Sequence, residues 1–151
     1  MNGFKTIILT TDFSETSRKA VAPAVTIAKT YGAKILLVHV TSSIPPALWE
    51  YPGLDVRALE ERQLESDRAQ LERFAAANLP AYKNVEPVAL LGDAHTEIVR
   101  LAKDCRADLI VMATHGRGFI AHAMMGSTTE RVLRTSPCPV LAVRDHEAKA
   151  A

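Results

Sequence analysis

Five short apolar runs recur along the chain, and each has the length and composition of a buried strand. They predict strands at residues 4–10, 34–40, 85–91, 109–113 and 140–143. The hydrophobic positions are continuous rather than alternating, which is typical of strands covered by helices on both faces. Pro87, near the start of the third run, suits an edge strand better than a central one.

Helical periodicity fills the segments between these runs. It predicts one helix from Ser14 to about Tyr31, one at about residues 55–78, one after Asp93, and one at residues 130–135. Pro23 should kink the first helix, because proline removes a backbone hydrogen bond. Gly32 is the expected stop of that helix.

Strands that alternate with helices favour one α/β architecture. Five strands and four helices predict a parallel sheet with right-handed crossovers and helices on both faces. No linker or internal repeat interrupts the pattern, so residues 1–146 are expected to form a single domain and residues 147–151 a frayed tail. Ligands of such sheets bind beyond the carboxyl ends of the strands, where the strand order reverses.

The loop after the fourth run combines glycines with hydroxyl side chains. Gly116, Arg117 and Gly118 follow the strand, and Gly126-Ser127-Thr128-Thr129 precedes the last helix. Glycines let a backbone approach a ligand closely and can present amides at φ > 0. The free N–H groups and the positive dipole end of a helix start favour a phosphate. This segment therefore predicts a loop that holds the phosphates of a nucleotide.

Asp12 is the candidate partner of that loop, because it directly follows the first strand. If the first and fourth strands are neighbours at the reversal of strand order, Asp12 faces the glycine loop across one crevice. A carboxylate at this position can also cap the helix that follows. Ligand contact and helix capping therefore stand as two interpretations of Asp12.

Composition and charge narrow the classes of partner. The 151 residues are 48% hydrophobic and 23% charged, with a net charge of +1, which argues against a large surface for nucleic acid or anionic membrane. No apolar run approaches the roughly 20 residues of a membrane span or resembles a signal peptide. Cys105 and Cys138 lack a CxxC context and are expected to be reduced thiols of a cytoplasmic protein, neither disulfide-bonded nor metal-bound.

The motifs at the two strand ends resemble the universal stress protein family, and the resemblance covers essentially the whole chain. It rests on Asp12-Phe13-Ser14, on Ala113-Thr114-His115-Gly116 with Gly126-Ser127, and on Pro137-Cys138-Pro139-Val140. The nucleotide-binding branch of the family has Gly, two residues, Gly, nine residues, then Gly followed by Ser or Thr. Gly116, Gly126 and Ser127 match this spacing, and Ala113 replaces the first glycine.

The resemblance implies a flavodoxin-like (Rossmann-like) sheet of order 3-2-1-4-5 and a site for ATP, with or without Mg²⁺. Asp12 and Val40 would line the adenosine side, while the glycine loop would surround the phosphates. The full set of implied cofactor-binding residues is Thr10, Thr11, Asp12, Val40, Ala113, Gly116, Arg117, Gly118, Gly126, Ser127 and Thr128. The resemblance also implies a homodimer formed by the edge strand Val140–Val143, since an exposed apolar edge needs a partner.

Three functions remain open at this point. The first is an ATP-binding regulator or sensor of the stress response. The second is a slow ATPase or phosphotransferase, for which the loop offers Arg117 but no GxxxxGK[ST] lysine, and in which no catalytic residue is assigned. The third is an interaction protein whose pocket Ala113 has disabled. Residues 41–53, from Thr41 to Gly53 with Trp49 among them, could form a lid or a partner surface.

Overall fold

The computed structural model describes residues 3–116 and 125–145. The strands are β1 (Thr6–Thr10), β2 (Lys34–Thr41), β3 (Val85–Leu91), β4 (Leu109–Ala113) and β5 (Val140–Val143). The α-helices are α1 (Glu15–Arg18), α2 (Val21–Tyr31), α3 (Val56–Asn78), α4 (Ala94–Asp104) and α5 (Ser127–Thr135), and a short 3-10 helix spans Pro46–Leu48. Arg117, Gly118 and the predicted tail at 147–151 lie outside the described residues.

The five strands form one parallel sheet in the order β3-β2-β1-β4-β5. β1 lies between β2 and β4, so that Ile8 pairs with Leu36 on one side and with Ile110 on the other. The predicted fold class and strand order are therefore confirmed. Because all strands run in the same direction, the carboxyl ends of β2, β1 and β4 lie side by side at one edge of the sheet.

Two hydrophobic clusters cover the two faces of the sheet. Ile7 and Leu9 of β1 pack in the cluster that contains residues of α2 and α3, whereas Ile8 packs in the cluster with residues of α4 and α5. Side chains that alternate along a strand point to opposite faces. Helices therefore lie on both faces, as the continuous apolar runs predict. No helix among the described residues is long and apolar enough to cross a membrane.

The prediction of one kinked helix before Gly32 is wrong, because two helices occupy that segment. α1 ends at Arg18, and α2 begins at Val21, so that Pro23 falls in the first turn of α2. The missing N–H of proline costs nothing in a first turn, where amides have no partner within the helix. Gly32 ends α2 in the left-handed conformation at φ 66°, as predicted.

Asp108 fastens β1 beside β4 at the start of both strands. Its Oδ2 accepts hydrogen bonds from the backbone amides of Lys5 at 2.8 Å and Thr6 at 2.9 Å, and its own amide donates to the Thr6 carbonyl at 2.9 Å. The Asp108 carboxylate therefore helps to keep the amino ends of β1 and β4 together. The carboxyl ends of the same two strands face the predicted site.

We predict that Asp108→Ala lowers the free energy of unfolding by about 1–3 kcal/mol, because two amides lose an acceptor. Asp108→Asn is the matched control, since a single amide oxygen can still accept both hydrogen bonds. Urea unfolding followed by circular dichroism measures the difference. Equal midpoints for the wild type and Asp108→Ala would show that this connection does not stabilise the sheet.

Candidate functional site

A cavity of about 640 Å³ opens at the carboxyl edge of the sheet, across the ends of β2, β1 and β4. This volume lies within the range of small-molecule sites in proteins. Nine of the residues assigned from the sequence line it: Thr10, Thr11, Asp12, Val40, Ala113, Gly116, Gly126, Ser127 and Thr128. The other two, Arg117 and Gly118, lie outside the described residues.

Asp12 lines the cavity just beyond the end of β1. Its Oδ1 accepts from the backbone amide of Ser14 at 3.0 Å and from the Ser14 hydroxyl at 2.5 Å. The cap of α1 is Ser14, whose Oγ accepts from the Ser17 amide at 3.2 Å. Of the two interpretations of Asp12, helix capping thus belongs to Ser14, and the Asp12 carboxylate lies in the cavity wall.

The turn that presents Asp12 is built from a left-handed residue. Phe13 has φ 66°, which is unfavourable for a residue with a bulky side chain, and its amide donates to the Thr11 hydroxyl at 2.9 Å. The Phe13 ring packs against the His39 ring at a centroid distance of 4.4 Å, and His39 Nδ1 bonds the Thr11 carbonyl at 2.8 Å. These contacts hold the strained turn, so the direction of Asp12 is fixed by packing.

The first turn of α5 faces the cavity without a side-chain cap. Gly126 is its N-cap residue and offers no side chain, whereas Ser14, Asp55 and Asp93 cap α1, α3 and α4. Ser127 and Thr128, the first two residues of α5, line the cavity. The amide groups and the positive dipole end of an uncapped helix start favour an anion.

The two described glycines of the loop, Gly116 and Gly126, serve close packing and not a positive φ, which corrects one part of the prediction. Neither Gly116 nor Gly126 has a left-handed backbone. A Cβ at Gly116 would overlap the Asp12 carboxylate, far inside van der Waals contact. A Cβ at Gly126 would lie 3.2 Å from the Thr114 carbonyl oxygen, which already accepts from the Gly126 amide. Gly116 therefore leaves room for Asp12 to face the loop.

Ala113 occupies a position whose backbone does not require glycine. It is the last residue of β4, pairs with Val143 in the parallel ladder and has no left-handed conformation. Its carbonyl oxygen accepts from the Thr129 hydroxyl at 2.9 Å, which fastens the first turn of α5 to the end of β4. The replacement of a glycine by Ala113 is thus compatible with the local geometry of the loop.

Helix α3 contributes a polar wall that the sequence analysis missed. Gln63, Asp67 and Gln70 line the cavity beside Thr41, and Asp67 is only 4% exposed. The charge-rich sequence of this helix suggests a solvated face for its polar residues. The missed signal is spacing, since Asp67 precedes the buried Leu71 by four residues and the buried Phe74 by seven, and so shares their stripe.

Several other candidates lie outside the cavity wall. Trp49 and Tyr51 are exposed and do not line the cavity.

Cys105 and Cys138 are free thiols packed at the edge of one hydrophobic cluster, and burial raises the pKa of both. Both thiols are only partly buried. The described residues hold no group of three or more His, Cys, Asp and Glu side chains placed for a metal ion.

Comparisons with known proteins agree with this architecture. Residues 3–144 match the model of the universal stress protein family. The chain is 35% identical over 141 residues to a universal stress protein encoded in the 3′ region of a QAH/OAS sulfhydrylase in Thermus aquaticus, an alignment that covers 93% of this chain and 99% of the relative.

Two solved structures show the same fold. The hypothetical protein MJ0577 superposes with a TM-score of 0.79 at 27% identity, over 94% of this chain and 96% of the other. A universal stress protein crystallised in complex with cAMP superposes with a TM-score of 0.64 at 26% identity, over 93% and 97% of the two chains. By its sequence and by the arrangement of its strands and loops, the chain belongs to the universal stress protein family.

Proposed function

We propose that this protein binds ATP in the cavity and acts as a regulator or sensor of the cytoplasmic stress response. The observation that carries the proposal is the uncapped start of α5, which opens into a nucleotide-sized cavity whose wall includes Asp12. A similar protein has been crystallised with cAMP, which supports a nucleotide as the class of ligand.

The order of the strands suggests how the nucleotide is oriented across the ends of β4, β1 and β2. The phosphates fit the β4 end of the cavity, which is lined by Gly116, by Gly126 and by Ser127 and Thr128 of the first turn of α5. The nucleoside then extends across the end of β1, past Thr10, Thr11 and Asp12, toward Val40 at the end of β2. We keep Ala113, Arg117 and Gly118 in the proposed phosphate loop on the grounds of the family motif.

We expect the cavity to bind ATP rather than to transfer its phosphoryl group quickly, because the sequence contains no GxxxxGK[ST] lysine. Among its described lining residues there is no lysine or arginine, and phosphoryl transfer depends on such positioned charge. Mg²⁺, if bound, would be held chiefly by the ATP phosphates, which is how this ion commonly binds with nucleotides. The proposal therefore allows slow hydrolysis only, and a turnover above about 1 s⁻¹ would contradict it.

We predict that isothermal titration calorimetry shows saturable 1:1 ATP binding to nucleotide-free protein. Gly116→Ala should weaken it at least about tenfold, because the new methyl group displaces the Asp12 carboxylate. Gly53→Ala is the control for a strained glycine substitution outside the cavity: its φ of 80° disfavours alanine, but the new Cβ meets no atom within 4 Å, so ATP affinity should be unchanged.

A double-mutant cycle tests whether Gly116→Ala weakens ATP binding by displacing Asp12. If Gly116→Ala acts through Asp12, its cost should largely disappear in an Asp12→Ala background, because coupled residues are not additive. Absence of saturable heat with the wild type would contradict ATP binding. Full affinity of Gly116→Ala would contradict the assigned role of Asp12.

We also propose that β5 pairs with β5 of a second copy to form a homodimer. β5 is an edge strand of four residues, and its Leu141 is 36% exposed. An apolar strand edge that stays open invites pairing with another chain.

Light scattering after size exclusion should give twice the 16.4 kDa chain mass for the wild type and a monomer for Leu141→Lys, because a lysine opposes edge pairing. Leu133→Lys is the matched control, since Leu133 is 40% exposed but lies on α5. A monomeric wild type at micromolar concentration, or a dimeric Leu141→Lys, would refute this interface.

A further inference from the structure

Asp67 is a buried carboxylate in the wall of the cavity. It lies on α3, is 4% exposed, and accepts hydrogen bonds from the Thr41 hydroxyl and from Gln63 Nε2, the latter at 2.9 Å. Within residues 3–116 and 125–145, no lysine, arginine or histidine forms an ion pair with it. Among the described residues this acid thus has two neutral hydrogen-bond donors and no ion-pair partner.

A carboxylate in such a place has unused capacity as an acceptor. Its two oxygens offer about four lone-pair positions, and Thr41 and Gln63 occupy one on each oxygen. Burial of a carboxylate is costly unless hydrogen bonds or opposite charge compensate it. A further donor from a ligand would therefore bind favourably, and it would find an acceptor stronger than a neutral oxygen.

The location of Asp67 in the cavity indicates which part of a bound nucleotide could donate a hydrogen bond to it. Thr41, its hydrogen-bond partner, is the last residue of β2, while α5 begins beyond the end of β4. β1 lies between these two strands. A nucleotide with its phosphates at α5 therefore places its nucleoside, and not its phosphates, beside the polar wall of α3.

We propose that Asp67 is a specificity-determining residue that accepts a hydrogen bond from the nucleoside part of the bound nucleotide. This inference rests on the proposed function. The donors that a nucleoside offers are the exocyclic amino group of adenine and the ribose hydroxyls, and the carboxylate would select for whichever of them it meets. Gln63 and Gln70 complete the polar wall around this contact.

The test compares ATP with three analogues that each remove one donor. ITP replaces the amino group by an oxo group and carries an N–H at N1 instead, and 2′-deoxy-ATP and 3′-deoxy-ATP each lack one hydroxyl. Calorimetry on the wild-type protein should show about tenfold weaker binding of the analogue that lacks the bonded donor, as expected for a hydrogen bond to a charged group. Equal affinities for all four nucleotides would overturn the inference without any variant.

The variant Asp67→Asn tests whether the Asp67 side chain causes the difference in affinity between ATP and its analogues. Asparagine keeps the size of the residue but presents a neutral oxygen and a new N–H donor. In this variant, the tenfold preference for ATP over the analogue that lacks the bonded donor should fall to about threefold or less. If that analogue is ITP, the preference should tend to reverse, because the new N–H can donate to the oxo group of ITP. Glu60→Gln is the matched control, because Glu60 is on the same helix, outside the cavity wall, and accepts from the Ile44 amide.

The outcomes separate this inference from the proposed function. A changed ITP ratio identifies the base amino group as the donor, and a changed deoxy-ATP ratio identifies a ribose hydroxyl. Unchanged ratios in Asp67→Asn, or the same loss in Glu60→Gln, would reject Asp67 as the specificity residue while ATP binding stands. A wild type that binds none of the four nucleotides would overturn both proposals. Thermal unfolding of both variants shows whether they keep the fold.

Discussion

The parallel pairing of β1 with both β2 and β4 is the constraint on which the site depends. It brings three strand ends to one edge of the sheet, and the chain leaves β1 and β4 toward helices that pack in opposite hydrophobic clusters. A crevice opens where the segments that follow two neighbouring strands lead to opposite faces of the sheet. The central strands are buried on both faces, and polar side chains such as Thr11 and Asp12 follow at their carboxyl ends.

The groups at that rim depend on one another. The strained turn at Phe13 directs Asp12 toward the loop after β4, and Gly116 provides the room that the carboxylate needs. On the other side, the hydrogen bond from Thr129 to the Ala113 carbonyl and the one from Gly126 to Thr114 place the uncapped turn of α5. A change at either strand end would therefore alter the geometry of both.

The sequence predicted those features that short-range patterns determine. The bounds of β3, β4 and β5, the strand order and the stop at Gly32 follow from apolar runs, helix signals and the family motif. Features that depend on packing between distant segments were missed. The close approach of Gly116 to Asp12 is such a feature, because it joins two distant loops. The break before α2 and the burial of Asp67 had local signals that were not used, namely Pro23 in a first turn and the helical spacing of Asp67 to Leu71 and Phe74.

The central claim is that amides at the end of β4 and the start of α5 meet an anion opposite Asp12. Amide chemical shifts of the ¹⁵N-labelled chain during an ATP titration test it directly, since a protein of 16.4 kDa gives resolved spectra. We predict that the largest saturable shifts fall on the amides of Asp12, Gly116, Gly126, Ser127 and Thr128. Saturable shifts confined to other parts of the chain, or no shifts at millimolar ATP, would contradict it.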